Sequence, residues 1–391
     1  MDNSIRSLFE FGLDELAKRN GMKWSKYGRD VIPMWVADSD FGVAKEIKDS
    51  IIEAVRGEDL HYDDSSSLCE MIADKIRRIN RIPVNGEDVL VTQGVIPPMW
   101  LACRYAFDRR GGDEAVMTDP MYYPFFTATE TAGVKKMFWP LMEEDGYRFD
   151  IEALKEAITP MTRLMFVCNP HNPTGRVMTR EELSAVADLA VDHDLVVMSD
   201  ELWEDIVFDD KEHVSIASLN SDISERTLTV WGFSKSYNIA GLQIGYAATT
   251  NKEMLKELKR LSNGIFRETT TLSKTAAKTI LSGKVDYYLK AELEYLRETR
   301  EYAVKRLREI EGVKPNVPEG TYLLFPRVSR YKMKSNAIVK FLLEDAKVSV
   351  IDGSEFGSNG EGHVRINVGT SLNVLEEAFN RIQKSLNKQL H

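Results

Sequence analysis

The sequence predicts an α/β fold: a large unit whose mostly parallel, seven-stranded sheet is flanked by helices, and a smaller α+β unit closing the chain. Two observations carry this expectation. Between Asp88 and Ala248, short apolar runs alternate with amphipathic segments, the pattern of strands covered on both faces. Past about residue 250 the text turns helical and charged, and β-prone runs return only near the end.

Taken in order, residues 1–43 mix charge with aromatics and contain an extended stretch from Val31 to Phe41. A helix is expected from Ala44 to Arg56, with Ile47, Ile51, Ile52 and Val55 on one face. His61–Ser67 reads as a polar turn, and a second helix runs from Leu68 to Arg78. The seven expected strands are Val89–Thr92, Ala115–Thr118, Lys136–Trp139, Leu164–Cys168, Leu195–Met198, Leu228–Trp231 and Ile244–Ala248. Helices between them include Pro97–Asp108, Ile151–Ala157 and Arg180–His193. A long helix follows from Val285 to about Ile310. The closing unit takes strands Tyr322–Phe325, Val348–Val350 and His363–Val368, then a helix from Val374 to Leu386. This divides the chain into an N-terminal segment, 1–43, that joins the small unit; a large unit, 44–285; and a C-terminal small unit, 286–391.

At 391 residues the chain can bury a large core. Its net charge of −10, with no basic run, argues against a nucleic-acid partner. No apolar run reaches membrane-spanning length, and the polar start, Met1-Asp-Asn-Ser, lacks a leader's apolar stretch. Cys69, Cys103 and Cys168 are odd in number and each lies among apolar residues, so free thiols in the cytoplasm are expected. The histidines are scattered without a ligand spacing, and no metal is expected.

Ligands of open α/β sheets sit beyond the carboxyl ends of the strands, so the residues after each strand matter. Val89–Thr92 leads into Gln93-Gly94-Val95-Ile96-Pro97, a glycine turn opening a helix and hence an anion cradle. Leu164–Cys168 leads into Asn169-Pro-His-Asn-Pro-Thr-Gly175, a rigid turn exposing amides. Leu195–Met198 leads to Asp200, a carboxylate at a buried strand end. Leu228–Trp231 leads to Ser234-Lys235; a plain loop lysine is the rival reading of that string alone. An anion cradle, an amide, a carboxylate and an amine together fit pyridoxal phosphate, which needs a lysine for its aldehyde, a carboxylate for its ring nitrogen and a phosphate cup. Asp119-Pro-Met-Tyr-Tyr-Pro-Phe125 supplies Tyr122 for the ring face, with a core role as its rival.

On these motifs, in this order, the chain resembles the fold-type I pyridoxal-phosphate enzymes of aminotransferase class I/II over nearly its whole length. The resemblance implies that Lys235 carries the cofactor in a Schiff base and Asp200 pairs with the ring nitrogen. Asn172 would bind the ring hydroxyl, Tyr122 would stack on the ring, and Gly94, Val95, Ile96 and Ser234 would hold the phosphate. Arg365 would grip the substrate carboxylate beside Asn172, with bidentate geometry suited to the task; a surface strand arginine is the alternative. Tyr62 would reach the phosphate of a neighbouring subunit, implying a homodimer with shared active sites, although the family's glycine five residues later is Ser67 here.

Two departures bear on the branch. Where many aminotransferases have a tyrosine three residues after the aspartate, this chain has Trp203; where many have an arginine in Gly-Leu-x-Ile-Gly, it has Gln243. The C–S lyases similar to cystathionine β-lyase commonly lack both, and show segments like Ile32-Pro-Met-Trp-Val-Ala-Asp-Ser-Asp-Phe41 and Ser234-Lys-Ser-Tyr-Asn238. The expected activity is therefore β-elimination from a sulfur amino acid, with transamination as the alternative. Trp35 is a candidate for the substrate side, with packing as its rival. Gly357-Ser-Asn-Gly-Glu-Gly362 has the wrong spacing for a dinucleotide fingerprint and reads as a loop.

Overall fold

A computed structural model of the protein describes residues 2–265 and 269–390, so Met1 and His391, which end the first and last expected units, lie outside the described residues. Thirteen strands occur among them: β1 Ile32–Pro33, β2 Val89–Thr92, β3 Glu114–Asp119, β4 Lys135–Met142, β5 Arg148–Phe149, β6 Thr162–Cys168, β7 Val196–Asp200, β8 Thr227–Gly232, β9 Gly245–Ala248, β10 Leu323–Leu324, β11 Val348–Ser349, β12 Ile351–Asp352 and β13 Val364–Asn367. The main sheet has order β2–β9–β8–β7–β6–β3–β4–β5. Its central pairs, β8–β7–β6–β3–β4, are parallel, whereas β9 runs antiparallel to β2 and β8.

The expected sheet of seven strands thus gains an eighth, β5, paired antiparallel with the end of β4 through Leu141–Phe149 and Met142–Arg148. Two residues are too few to show an alternation in sequence. β4 also runs beyond Trp139 through Pro140, which is tolerated because β3 alone pairs there and β5 joins only from Leu141, so one side of that residue needs no ladder donor. Along the central strands successive side chains face opposite ways. Leu164, Phe166 and Met198 enter the core on one face, and Met165, Val167 and Val197 enter the core on the other.

Elsewhere the expected elements shift. The second helix spans Ser66–Lys75 and continues as a π-helical turn, Ile76–Asn80, before Arg81 takes a left-handed φ of 59°. A further helix, Pro124–Thr131, opens on a proline at its first turn. The first long helix, Lys45–Arg56, buries Ile47, but Ile52 and Val55 of its expected core face are 46% and 45% exposed. The expected strand Val348–Val350 becomes β11, which pairs in parallel with β1, and a separate short strand just after it, β12, joins β13 in a three-stranded sheet with β10. The glycine-rich loop does structural work, since Ser358 Oγ (2.5 Å) and the Asn359 N–H (3.1 Å) bind the Asp119 carboxylate at the end of β3.

The segment from β1 to Phe41 crosses the carboxyl edge of the main sheet and is fixed by a buried ion pair. Lys23 Nζ lies 2.8 Å from Asp40 Oδ2, with both side chains under 5% exposed. Trp24 Nε1 donates to the other Asp40 oxygen at 2.6 Å, and Asn367 Nδ2 donates to the carbonyls of Val36 and Asp38 at 2.7 Å. Removing one partner of such a pair strands a buried charge, at a cost of about 3–5 kcal/mol. Asp40→Ala should therefore lower the urea midpoint strongly, while Asp49→Ala, at the exposed Lys45–Asp49 pair, should leave it nearly unchanged. Equal midpoints for the two variants would show that the Asp40 anchor carries no such weight.

Candidate active site

Four strand ends and one strand of the small sheet converge beneath this segment. Asp200 ends β7, in register with Cys168 on β6 and Val230 on β8. It is buried, and one oxygen accepts the Leu202 N–H at 3.1 Å. No ion pair reaches the carboxylate among the described residues, and burial pushes it up to about 6. Behind it, Glu201 is fully satisfied: Ser199 and Ser215 hydroxyls donate to one oxygen, and Trp231 Nε1 and the His213 ring reach the other. Glu201, Glu204 and His213 place possible metal-donor atoms within 4.8 Å of one another, but the Lys75 ammonium already sits against Glu204.

Lys235 follows β8 on a turn closed by the Tyr237 N–H to the Phe233 carbonyl, 3.2 Å. Its Nζ donates to the Ala37 carbonyl at 2.5 Å and lies 5.7 Å from the centre of the Trp203 ring. Burial pulls the ammonium down to about 8; Asp38 and Asp200 oppose that shift and Arg365 adds to it. Near neutral pH a usable fraction is therefore the free, nucleophilic amine.

Arg365 is buried on β13 rather than exposed on a surface strand. Its Nη1 donates to Asn172 Oδ1 (3.1 Å), its Nη2 to the Trp35 carbonyl (3.0 Å), and its Nε has no partner. The guanidinium lies 4.9 Å from the centre of the Phe356 ring and faces no carboxylate in an ion pair among the described residues. Asn172 is held in a loop braced by His171, whose ring bridges the Thr118 and Thr174 hydroxyls at 3.0 and 2.8 Å. Burial takes His171 down to about 3, so it stays neutral. Tyr122 is half-buried, 5.1 Å from Tyr123, and its hydroxyl is pushed upward by burial near Arg365 and Asp200. Tyr123 is 40% exposed.

At the carboxyl end of β2, Gly94 turns with φ 75°, a left-handed value that glycine adopts without strain, and Val95 precedes the helix Ile96–Arg110. Gly245 on β9 packs directly beneath: a Cβ there would fall 2.7 Å from the Gly94 carbonyl carbon. The Ile96 side chain is exposed, which leaves its backbone N–H as the group able to bind an anion. Ser234 is half-buried beside Lys235.

Two expected residues stand apart. Tyr62 is fully exposed, on a surface cleft with His61, Asp63, Thr270 and Lys274. Trp35 offers the site its carbonyl, whereas its ring packs under Lys26 Nζ at 4.0 Å and against Tyr27. Residues that the sequence left unmarked include Ala37, Tyr322 and Gly245. The Tyr322 hydroxyl lies 3.4 Å from the Ala37 carbonyl, and its ring packs edge-on to Trp203 at 4.7 Å. A backbone acceptor carries no side-chain signal; only the glycine inside a strand pattern could have pointed to Gly245.

The set fits an aldehyde cofactor with a basic ring nitrogen and an anionic tail. A buried carboxylate lacks a cation, a buried guanidinium lacks an anion, an amine is lowered toward neutrality, and a glycine turn opens a helix. Comparison with known proteins agrees. The sequence profile described as Aminotransferase class I and II matches residues 29–382. The chain is 32% identical to an aspartate aminotransferase of Pyrococcus abyssi, over 99% of this chain and 96% of that protein. It is 30% identical to the cystathionine beta-lyase PatB of Bacillus subtilis, over 95% and 98%. The crystal structure of cystalysin from Treponema denticola, which contains a pyridoxal 5'-phosphate cofactor, superposes with a TM-score of 0.89 at 25% identity, covering 95% of this chain and 97% of that one.

The state of Asp200 predicts a pH signature in the cofactor-free protein. Its carboxyl titrates near 3.8 when unfolded and near 6 when folded, so the folded state holds the proton more tightly. Ionised Asp200 then costs stability that grows as pH rises from 4 to 6 and is full above 6, up to roughly 3 kcal/mol. Asp200→Asn should raise the urea midpoint at pH 7–8 and lose that advantage near pH 4. An advantage that is absent, or constant with pH, would contradict this electrostatic account.

Proposed function

The chain belongs to the aminotransferase class I and II family, and from that premise we propose that it is a C–S lyase, eliminating a thiol from the β-carbon of an L-amino acid and releasing pyruvate and ammonia. The cofactor is pyridoxal 5'-phosphate, which when bound supplies a carbonyl for amines and a ring that withdraws electrons. Lys235 would hold it covalently through Nζ. Asp200 would keep a proton on the ring nitrogen, Asn172 would serve the ring hydroxyl, and Tyr122 would cover the ring face. The N–H groups of Gly94, Val95 and Ile96, with the Ser234 hydroxyl, would take the phosphate at the helix N-terminus.

Arg365 binds the substrate carboxylate, its unpartnered Nε and its two Nη groups giving it the donors for a bidentate pair. That contact would orient the amino acid so that the Lys235 amine could take the proton from the α-carbon. Expulsion of a thiolate from the β-carbon then competes with return of the proton. The observation that carries the lyase reading is the surroundings of that amine. Among the described residues whose charges act most on it, Arg365 is the one cation, and Asp38 and Asp200 are carboxylates. Trp203 and Tyr322 wall its flank. A carboxylate carried on the β- or γ-carbon of the substrate finds repulsion there, while a thioether at that position finds an aromatic wall. Similarity to a cystathionine β-lyase supports this reading, as does Gln243 in place of a charged phosphate ligand. Transamination is the second reading, favoured by the similarity to an aspartate aminotransferase along nearly the whole chain.

A homodimer belongs to the same proposal. Ile52, Val55, Leu60 and Tyr62 are all exposed on neighbouring segments, more apolar surface than a short stretch leaves in water without a partner. Tyr62 is then positioned to serve the other subunit's phosphate. Three free cysteines support a cytoplasmic location, and the pairing of β1 with β11 supports grouping residues 1–43 with 286–391 apart from 44–285.

Incubation of the holoenzyme with L-cystathionine, with no 2-oxo acid added, should yield homocysteine, pyruvate and ammonia. Product that forms only when a 2-oxo acid is supplied would replace the lyase reading with transamination.

A further inference from the structure

Glu292 lies on the long helix Asp286–Arg308, away from every group assigned above, and it is completely buried. One oxygen, Oε1, accepts from Asn238 Nδ2 at 3.1 Å, and Oε2 has no partner. No ion pair compensates it among the described residues, so burial pushes the carboxyl's proton affinity well up. A buried, half-satisfied acid is costly, and leucine would fill the same helix position more cheaply. Its one contact indicates what it does.

Asn238 is the third residue after Lys235 and takes a left-handed φ of 56°, a conformation asparagine tolerates better than most side chains. Its Nδ2 also meets the Tyr288 hydroxyl at 2.5 Å, and that hydroxyl donates to the Gly42 carbonyl at 2.6 Å. Its Oδ1 accepts from Ser39 Oγ in a close contact. Ser39 and Gly42 belong to the segment that carries Ala37, the acceptor for the Lys235 amine, and Asp38, whose charge supports the Lys235 cation. A single amide therefore clamps the lysine turn to the covering segment, and Glu292 fixes the amide's orientation: with its oxygen against Asn238, the NH2 end faces the helix and the carbonyl end faces Ser39.

We propose that Glu292 is a positioning residue that acts through Asn238 to hold the Ala37–Ser39 segment over Lys235, and so sets the proton affinity of that amine and of its linkage to the cofactor. This rests on the cofactor assignment and is independent of the choice between elimination and transamination. The charged and titratable groups acting on Lys235 are Asp38, Arg365 and Asp200. Those facing Glu292 are Asp205, Tyr237, Tyr288 and Tyr322. Glu292 does not act on Lys235 directly, so its influence is geometric.

The test is the pH titration of the resting holoenzyme's visible absorbance band, with no substrate present. Loosening the segment removes an acceptor and the Asp38 carboxylate from the lysine nitrogen, both of which favour its protonated form. Glu292→Leu and Ser39→Ala should each lower the titration midpoint by about half a pH unit or more. Glu292→Gln, which keeps an acceptor oxygen for Asn238, should stay within about 0.2 unit of the parent. The double variant should shift no further than the larger single shift, since both break one chain of contacts. A midpoint unchanged in Ser39→Ala and Glu292→Leu, with only the melting temperature reduced, would overturn the proposal and leave Glu292 structural. Should Glu292→Leu fail to fold, Ser39→Ala decides alone, at a small and nearly isosteric change. A parent enzyme without the band would overturn the cofactor assignment and this proposal together.

Discussion

Unpaired charge, buried in one cleft, is the constraint on which the rest of this structure depends. Lys235 feels the charges of both Asp200 and Arg365, yet no two of the three form an ion pair. Direct pairing would satisfy each at lower cost and would fill the cleft. The scaffold instead holds them apart. β7 fixes Asp200 in the middle of the sheet, a short turn after β8 fixes Lys235, and β13 brings Arg365 from the other sheet. Each is then left with unmet bonding capacity of a defined sign, which describes the ligand: a ring nitrogen that accepts a proton, a carbonyl for an amine, and a carboxylate.

The parallel sheet supplies the position, and the N-terminal segment supplies the enclosure. Carboxyl ends of parallel strands gather on one edge, so residues distant in sequence arrive together there. Residues 31–41 close that edge with backbone groups more than with side chains. The carbonyls of Trp35 and Ala37 accept from Arg365 and Lys235, while Asn367 and Lys23 hold the neighbouring carbonyls. A covering strand that presents carbonyls can stabilise cations without adding a titratable group. Asp38 is the exception, and its field opposes the effect of burial on Lys235.

What could be read in the sequence follows the same division. β2 was bounded correctly because its apolar run is flanked by Asp88 and a glycine turn; β4 was cut short at Pro140, which breaks the apolar pattern without breaking the strand. Asp200, Asn172 and Lys235 draw notice in the sequence because each is a polar residue within four positions of the end of a buried run, where solubility does not explain it. Arg365 needed the family resemblance, since an arginine on a late strand has no local mark. Ile52 and Val55 show the limit of periodicity: a helical apolar face tells that something covers it, but not whether the cover lies within the chain. Ala37, Gly245 and Glu292 were hidden because their roles come from a carbonyl, a missing side chain and a contact across 54 residues of sequence.

The central claim is that Lys235 is the covalent anchor of the cofactor. Reduction of the purified, cofactor-loaded protein with borohydride, followed by proteolysis and mass spectrometry, measures it directly. The account predicts one phosphopyridoxyl group per chain, on the peptide containing Lys235. A reduced adduct on any other lysine, with Lys235 unmodified, would contradict it.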